Sequence, residues 1–220
     1  MKPDFFKNIK VVGFDFDDTL VDEQYSIKNR WKKTLKEYYF LSSKIEETFF
    51  KIYKQKGPLY RFHLNDTLRK LKIDSKNVKK ILSKFLTTRD KELLQDGSFE
   101  LLDLLKSKNI AVGIITDGKQ SYQKERIKKA GIYKFMDFIY YGNGKKEKKP
   151  NKKVLKELFK SLKIRSPERF LYIGNDFIND IQGMSSVGVS VCWVTKEKFM
   201  TKIHRAIKAK NLKELLKYFK

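Results

Sequence analysis

Lys10–Leu20 reads KVVGFDFDDTL: an apolar run that ends abruptly in three carboxylates and a threonine. Val11, Val12, Phe14 and Phe16 predict a short buried strand, which places Asp15 and Asp17 where that strand stops and a loop begins. Ligands of open α/β sheets bind at the carboxyl ends of strands. Residues two apart on an extended chain point to the same side, so Asp15 and Asp17 can share one small site. Two carboxylates held together raise each other's pKa unless a cation or a shared proton relieves them. Such a pair suits a hard metal ion, or a nucleophile beside a general acid. The same residues also suit a turn or a helix cap, and Thr19 would fit that role.

The rest of the chain repeats the strand-then-polar-tip pattern. Ile110–Ile115 predicts a buried strand ending in Thr116-Asp117-Gly118, where a hydroxyl and glycine-freed backbone N–H groups make a phosphate-facing loop. Lys119–Ala130 predicts a helix stopped by Gly131. Phe138–Tyr141 is a third strand, leading into the lysine loop GNGKKEKKPNKK. Lys145, Lys146 and Lys152 read as solvated there. Lys149 differs because Pro150 follows it, which excludes helical geometry at Lys149 and suits a helix entrance. Phe170–Gly174 is a fourth strand, ending in Asn175-Asp176-Phe177-Ile178-Asn179-Asp180. A helical turn there puts Asp176 and Asp180 on one face, where both approach a cation; the alternative is an aspartate that caps the helix. Ser190–Val194 is a fifth strand and Leu212–Phe219 an amphipathic terminal helix.

Asp22 to about Gln95 changes character. Trp31, Leu35, Tyr38 and Tyr39, then Ile45, Phe49, Phe50 and Tyr53, then Val78, Ile81, Leu82 and Phe85 fall at helical spacing and predict three to five amphipathic helices. Gly57-Pro58 breaks two of them apart. Aromatics at such intervals are core residues first and ligand contacts second, and His63 reads as structural. Strands alternating with helices imply a Rossmann-like α/β core with a parallel sheet covered on both faces. The predicted organisation is a discontinuous core, 1–21 and 96–220, with a helical domain over 22–95.

DFDDT, Thr116, Lys149 before proline, and Asp176 to Asp180 resemble, in order, the four signatures of the haloacid dehalogenase-like superfamily of phosphotransfer enzymes. They span Val11 to about Val194. The resemblance implies that Asp15 is a nucleophile forming an aspartyl-phosphate and Asp17 a general acid and base. Thr116, Asp117 and Gly118 would bind the transferring phosphoryl group, and Lys149 would neutralise it. Magnesium would be held by Asp15, Asp17, Asp176 and Asp180. Many such proteins carry aspartate directly after the glycine, whereas Asn175 holds that place here, leaving open which of Asn175 and Asp176 faces the metal. The inserted helices correspond to the cap that selects the substrate. Asp17 argues against halide displacement and carbon–phosphorus cleavage, whose enzymes lack that second acid. Phosphomonoester hydrolysis is therefore expected, on a sugar phosphate, a nucleotide or a phosphoglycolate-like acid; a sugar phosphomutase and a basic nucleic-acid-binding module are the alternatives.

Bulk properties bound these readings. The 220 residues carry a formal charge of +24, which attracts phosphates of any kind. Lysine outnumbers arginine 42 to 8 and is scattered over nearly every helix, whereas groove readers concentrate arginine and aromatics on one face, so no specific nucleic-acid partner is expected. One cysteine, Cys192, lies in the apolar run VSVCWV and has no partner for a disulfide within the chain. With no signal-like or membrane-spanning apolar stretch, a cytoplasmic protein is expected.

Overall fold

The computed structural model describes residues 3–36, 39–56, 62–88, 92–143, 148–197 and 203–220. Tyr38, Gly57, Pro58, Lys145 and Lys146, read above from the sequence, lie outside them. The chain forms two compact units: Met1–Glu23 with Glu92–Lys220, and Gln24–Lys91.

The first unit is built on six parallel strands, β1 Val11–Phe14, β2 Ala111–Thr116, β3 Phe138–Tyr141, β4 Phe170–Gly174, β5 Ser190–Val194 and β6 Ala206–Ala209. Their order is β3-β2-β1-β4-β5-β6. The chain builds outward from β1 in one direction, then crosses back to lay β4 on its other side. That reversal makes a crevice at the carboxyl ends of β1 and β4, the place where such sheets bind ligands. β6 was not expected, because AIKA is short and carries little strand signal.

Alternation along β1 divides the core. Val12 and Phe14 pack with Leu101, Leu105 and Ile114 in one cluster, whereas Val11 packs with Phe170, Tyr172 and Ile181 in another. Gly13 shares the second face, and a Cβ there would stand 2.6 Å from Phe170 Cζ. The missing side chain on β1 makes room for the aromatic rings of β4, so glycine fits a central strand where it would otherwise weaken packing. Cys192 is fully buried beside Phe14 and Ile173 in the first cluster, and burial pushes its thiol well above the ordinary range.

Two short segments are stitched where the chain leaves and re-enters this unit. Asp22 N donates to Leu93 O at 2.8 Å, Gln95 N to Leu20 O at 2.9 Å, and Ser98 Oγ to Leu20 O at 2.9 Å.

The second unit is helical: α1 Glu23–Thr34 enters it, followed by α2 Tyr39–Lys56, α3 His63–Lys70 and α4 Ser75–Thr87. Ile27, Trp31 and Leu35, then Ile45 and Phe49, then Ile81 and Phe85 recur at four-residue spacing and close one core with Leu68. Trp31 is its centre, with its ring centroid 4.4 Å from that of Phe85 and 5.5 Å from that of Phe49. His63 is buried against the rings of Tyr53 and Phe49, which makes it part of this packing. Among the described residues no helix is long and apolar enough to cross a membrane.

The core unit adds α5 Ser98–Ser107, α6 Gln120–Lys129, α7 Lys152–Ser161, and two short helices, α8 Gly183–Ser185 and α9 Leu216–Phe219. The predicted terminal helix is shorter than expected: Leu212–Leu215 is a tight 3₁₀ turn capped by Asn211, and only the last four residues before Lys220 are α-helical.

Candidate active site

Every sequence-predicted site residue of the core lies at a strand's carboxyl end or on the segment that follows it, and three of the charged ones meet directly. Lys149 Nζ donates to Asp15 Oδ1 at 2.5 Å and to Asp180 Oδ1 at 2.7 Å. Its third proton points to the Tyr172 hydroxyl at 3.0 Å, which in turn donates to the Ile115 carbonyl at 2.9 Å. The side chains of Lys149, Asp15 and Asp180 are 6, 11 and 0% exposed, so this is an ion cluster inside the protein. Burial disfavours the ammonium, but Asp15, Asp180 and Asp117 outweigh it and lift the Lys149 pKa well above its ordinary value. Asp15 moves up as well: burial is the main cause, Asp180 and Asp17 add repulsion, and Lys149 only partly compensates. A carboxylate held at high energy by its surroundings is suited to attack.

Asp15 itself is fixed by the sheet, its N–H donating to the Ile173 carbonyl of β4 at 2.9 Å. Lys149 is aimed by its loop: its backbone N–H donates to Asp117 Oδ1 at 2.9 Å. Burial raises the Asp117 carboxyl despite Lys149. An anionic side chain does not bind phosphate, so what Asp117 offers an anion is its backbone, while its carboxylate anchors the lysine loop. The helix after that loop does not open at Pro150. It opens at Lys152, capped by Asn151, whose Oδ1 accepts from Lys153 N and Val154 N at 3.1 and 3.2 Å, because the asparagine supplies the acceptor that proline lacks. Lys152 is exposed.

Asp176 and Asp180 have separate roles. Asp176 caps the turn that follows: Oδ1 accepts from Ile178 N at 2.9 Å and Asn179 N at 3.0 Å, and Oδ2 from Asn179 Nδ2 at 2.8 Å. Phe177–Gln182 winds as a wide π-helical turn, a form common at functional sites. It carries Asp180 inward, where Oδ2 accepts from Asp176 N at 3.0 Å and Oδ1 meets Lys149. Gly174 is required by this approach, since a Cβ there would sit 2.3 Å from Asp180 Oδ2. Asn175, directly after β4, accepts from the Thr19 hydroxyl at 3.1 Å. Replacing Asp176 with Ala is expected to remove the cap and cost about 1 kcal/mol, read as a fall in the thermal midpoint. Because Asp180 keeps its contact with Lys149, activity should fall by less than about tenfold.

Thr116 ends β2 fully buried, its Oγ1 accepting from Gly118 N at 3.2 Å and from Gln123 Nε2 at 3.0 Å. Asp17 lies one step further out, with both oxygens held from α6: Arg126 Nη1 pairs with Oδ1, and Gln123 Nε2 donates to Oδ2 at 2.6 Å. Arg126, Gln123, Glu92 and Tyr172 were not singled out from the sequence. QSYQKERIKK reads as a solvated polar helix, and only the buried spacing of Gln123, Arg126 and Ile127 betrays its inner face.

Among the described residues no three His, Cys, Asp or Glu side chains are grouped to hold a metal ion. The candidate donors on these segments are hard oxygens: Asp15 Oδ2, which Lys149 does not touch, the Asp17 carbonyl, and Asn175 Oδ1, which also accepts from the Thr19 hydroxyl. That set fits magnesium, which takes one or two carboxylates and keeps several waters.

A parallel α/β sheet with an aspartate, a lysine and a second aspartate gathered at its carboxyl edge defines a hydrolytic enzyme of the phosphotransfer type. The chain belongs to the haloacid dehalogenase-like hydrolases, whose family model matches residues 12–194. It is 26% identical over 202 residues to the glyceraldehyde 3-phosphate phosphatase of Pyrococcus furiosus, covering 88% of this chain and 83% of that one. It is also 26% identical to the pyrophosphatase PpaX of Bacillus mycoides, over 86% of each chain. The crystal structure of the HAD-hydrolase YfnB of Bacillus subtilis, bound to magnesium, has the same fold, with a TM-score of 0.72, 19% identity, and 96% and 98% of the two chains covered.

Proposed function

We propose that this protein is a magnesium-dependent phosphomonoester hydrolase that works through an aspartyl-phosphate on Asp15, with a small phosphorylated metabolite as substrate. The observation that carries the reading is Asp15 at the end of the central strand, buried against Lys149, with a second carboxylate two residues on. One oxygen of the Asp15 carboxylate attacks phosphorus, and the bond to the leaving oxygen breaks as Asp17 gives that oxygen a proton. Asp17 then takes a proton from water, which attacks the same phosphorus and frees Asp15 and inorganic phosphate. Lys149, the Thr116 hydroxyl and the backbone N–H groups around Asp17 and Gly118 stabilise the equatorial oxygens. Magnesium at Asp15, the Asp17 carbonyl and Asn175 would offset charge between the anionic reactants. Asp180 acts through Lys149, and Asp176 shapes the turn that carries Asp180.

The helical unit, 24–91, is proposed as the cap that selects the substrate, on the family resemblance. The phosphatase names of the relatives support a small phosphorylated substrate, and a triose phosphate is the first to try. The buried thiol suits a reducing cytoplasmic setting. The test is phosphate release from triose phosphates, hexose phosphates, nucleoside monophosphates, phosphoglycolate and pyrophosphate, with magnesium and then with a chelator. Release that needs magnesium is the expected result. No release from any of them would overturn the hydrolase reading.

A further inference from the structure

Arg126 is an expensive residue to bury, and the reason it is buried lies in what it holds. Its Nε and Nη2 form a two-pronged pair with Glu92, at 2.8 and 2.9 Å, and its plane lies over the rings of Phe16 and Tyr122, 5.0 and 5.2 Å from their centroids. Glu92 would satisfy the guanidinium as a structural ion pair. The remaining arm goes elsewhere: Nη1 pairs with Asp17 Oδ1 and also donates to Gln123 Oε1 at 3.0 Å. Gln123, three residues earlier on the same face of α6, donates through Nε2 to Asp17 Oδ2 and to the Thr116 hydroxyl. The two oxygens of Asp17 are thus gripped by different side chains, and one of these also grips the residue proposed to bind phosphate. Gly118 lies against this amide: a Cβ there would come within 2.6 Å of Gln123 Nε2, so the glycine after Thr116 and Asp117 leaves the space in which Gln123 works.

We infer that Arg126 and Gln123 are positioning residues that fix the Asp17 carboxylate relative to Thr116, so that acid–base transfer and phosphate binding share one rigid frame. The inference rests on the phosphatase reading. Glu92 anchors the frame at the first residue of the chain's return to the α/β unit, so the grip on Asp17 is built from both sides of the insertion. A misplacement of about 1 Å in a reacting group costs on the order of 10²-fold in rate. Proton transfer matters most when the leaving oxygen is a poor one, and that separates this role from a structural one.

The experiment compares kcat/KM for an alkyl phosphate that the wild-type enzyme hydrolyses with kcat/KM for p-nitrophenyl phosphate, whose leaving oxygen needs no proton. Gln123→Met and Arg126→Met are expected to lower the alkyl value by about 10²-fold while p-nitrophenyl phosphate stays within about threefold. Release of p-nitrophenolate should also show a burst of one equivalent, because water attack on the aspartyl-phosphate still needs Asp17. Arg126→Lys should remain impaired, since an ammonium cannot pair with Glu92 by two prongs and reach Asp17 as well. Gln123→Met leaves the Arg126–Glu92 pair intact, so it carries the test even where Arg126→Met fails to fold. An equal fall for both substrates, no fall, or full recovery in Arg126→Lys would each overturn the inference. A wild-type enzyme inactive on both substrates would instead remove the phosphatase reading on which it stands.

Discussion

Asp15→Asn is expected to abolish phosphate release, by about 10⁴-fold or more, while leaving a protein at least as stable as the wild type. The amide keeps the shape of the side chain but cannot form an acyl phosphate, and no other described carboxylate is placed to replace it. Asp17 is held by Arg126 and Gln123, and Asp180 has one oxygen on Lys149 and the other on a backbone N–H. Loss of a nucleophile that acts as one unit with its partners leaves only the binding contribution to rate. The stability half follows from the direction of the Asp15 shift. Its folded pKa lies above the unfolded value, so its favourable contribution belongs to the protonated form and is lost as pH rises from the unfolded pKa through the folded one. At neutral pH an ionised Asp15 costs stability, and a neutral amide relieves repulsion from Asp180 and Asp17. Thermal unfolding in the presence of a chelator checks this; a midpoint several degrees below wild type would mean that the ion pair with Lys149 outweighs the repulsion. Residual turnover within a hundredfold of wild type would remove Asp15 as the nucleophile.

What the sequence made legible was whatever depends on short-range pattern. The apolar runs of β1, β2, β4 and β5 name themselves, and each ends in the polar residues that the sheet then lines up, so the α/β class follows from local signals. What escaped depends on long-range burial. Arg126 and Gln123 sit in a helix whose composition is that of a solvated surface, and only the fold turns their side toward Asp17. Tyr172 is one aromatic in an apolar strand, with nothing local to show that its hydroxyl bridges Lys149 and a carbonyl of β2. Asp176 and Asp180 are the same residue type four apart. Their different roles are decided by a π-helical turn, which no spacing rule anticipates. Pro150 marks the entrance to α7 in the sequence, but the cap itself is Asn151, which has the acceptor oxygen.

Lys149→Met is expected to be strongly destabilising and to remove activity together with stability. Methionine has a similar length and fits the volume, so no large cavity opens. What is lost is the only side-chain cation paired with Asp15 and Asp180 among the described residues. Removing one member of a buried ion cluster leaves charge without compensation, at about 3–5 kcal/mol. For a chain of this length that is a fall of roughly 10 °C in the thermal midpoint. The hydroxyl of Tyr172 loses its donor as well, although it keeps the Ile115 carbonyl as acceptor. Turnover should fall by about 10³-fold, since a phosphoryl group entering beside Asp15 would then meet two carboxylates and no ammonium. The double variant Lys149→Met, Asp180→Asn separates the two effects. Neutralising Asp180 relieves the stranded charge, so the midpoint should recover by several degrees, while activity stays lost because the cation beside the phosphoryl group is still missing. Non-additivity of about 1–3 kcal/mol in the double-mutant cycle would measure the coupling between the two residues. A midpoint unchanged in the single variant would show instead that the ion cluster adds nothing to stability and that Lys149 serves the phosphoryl group alone.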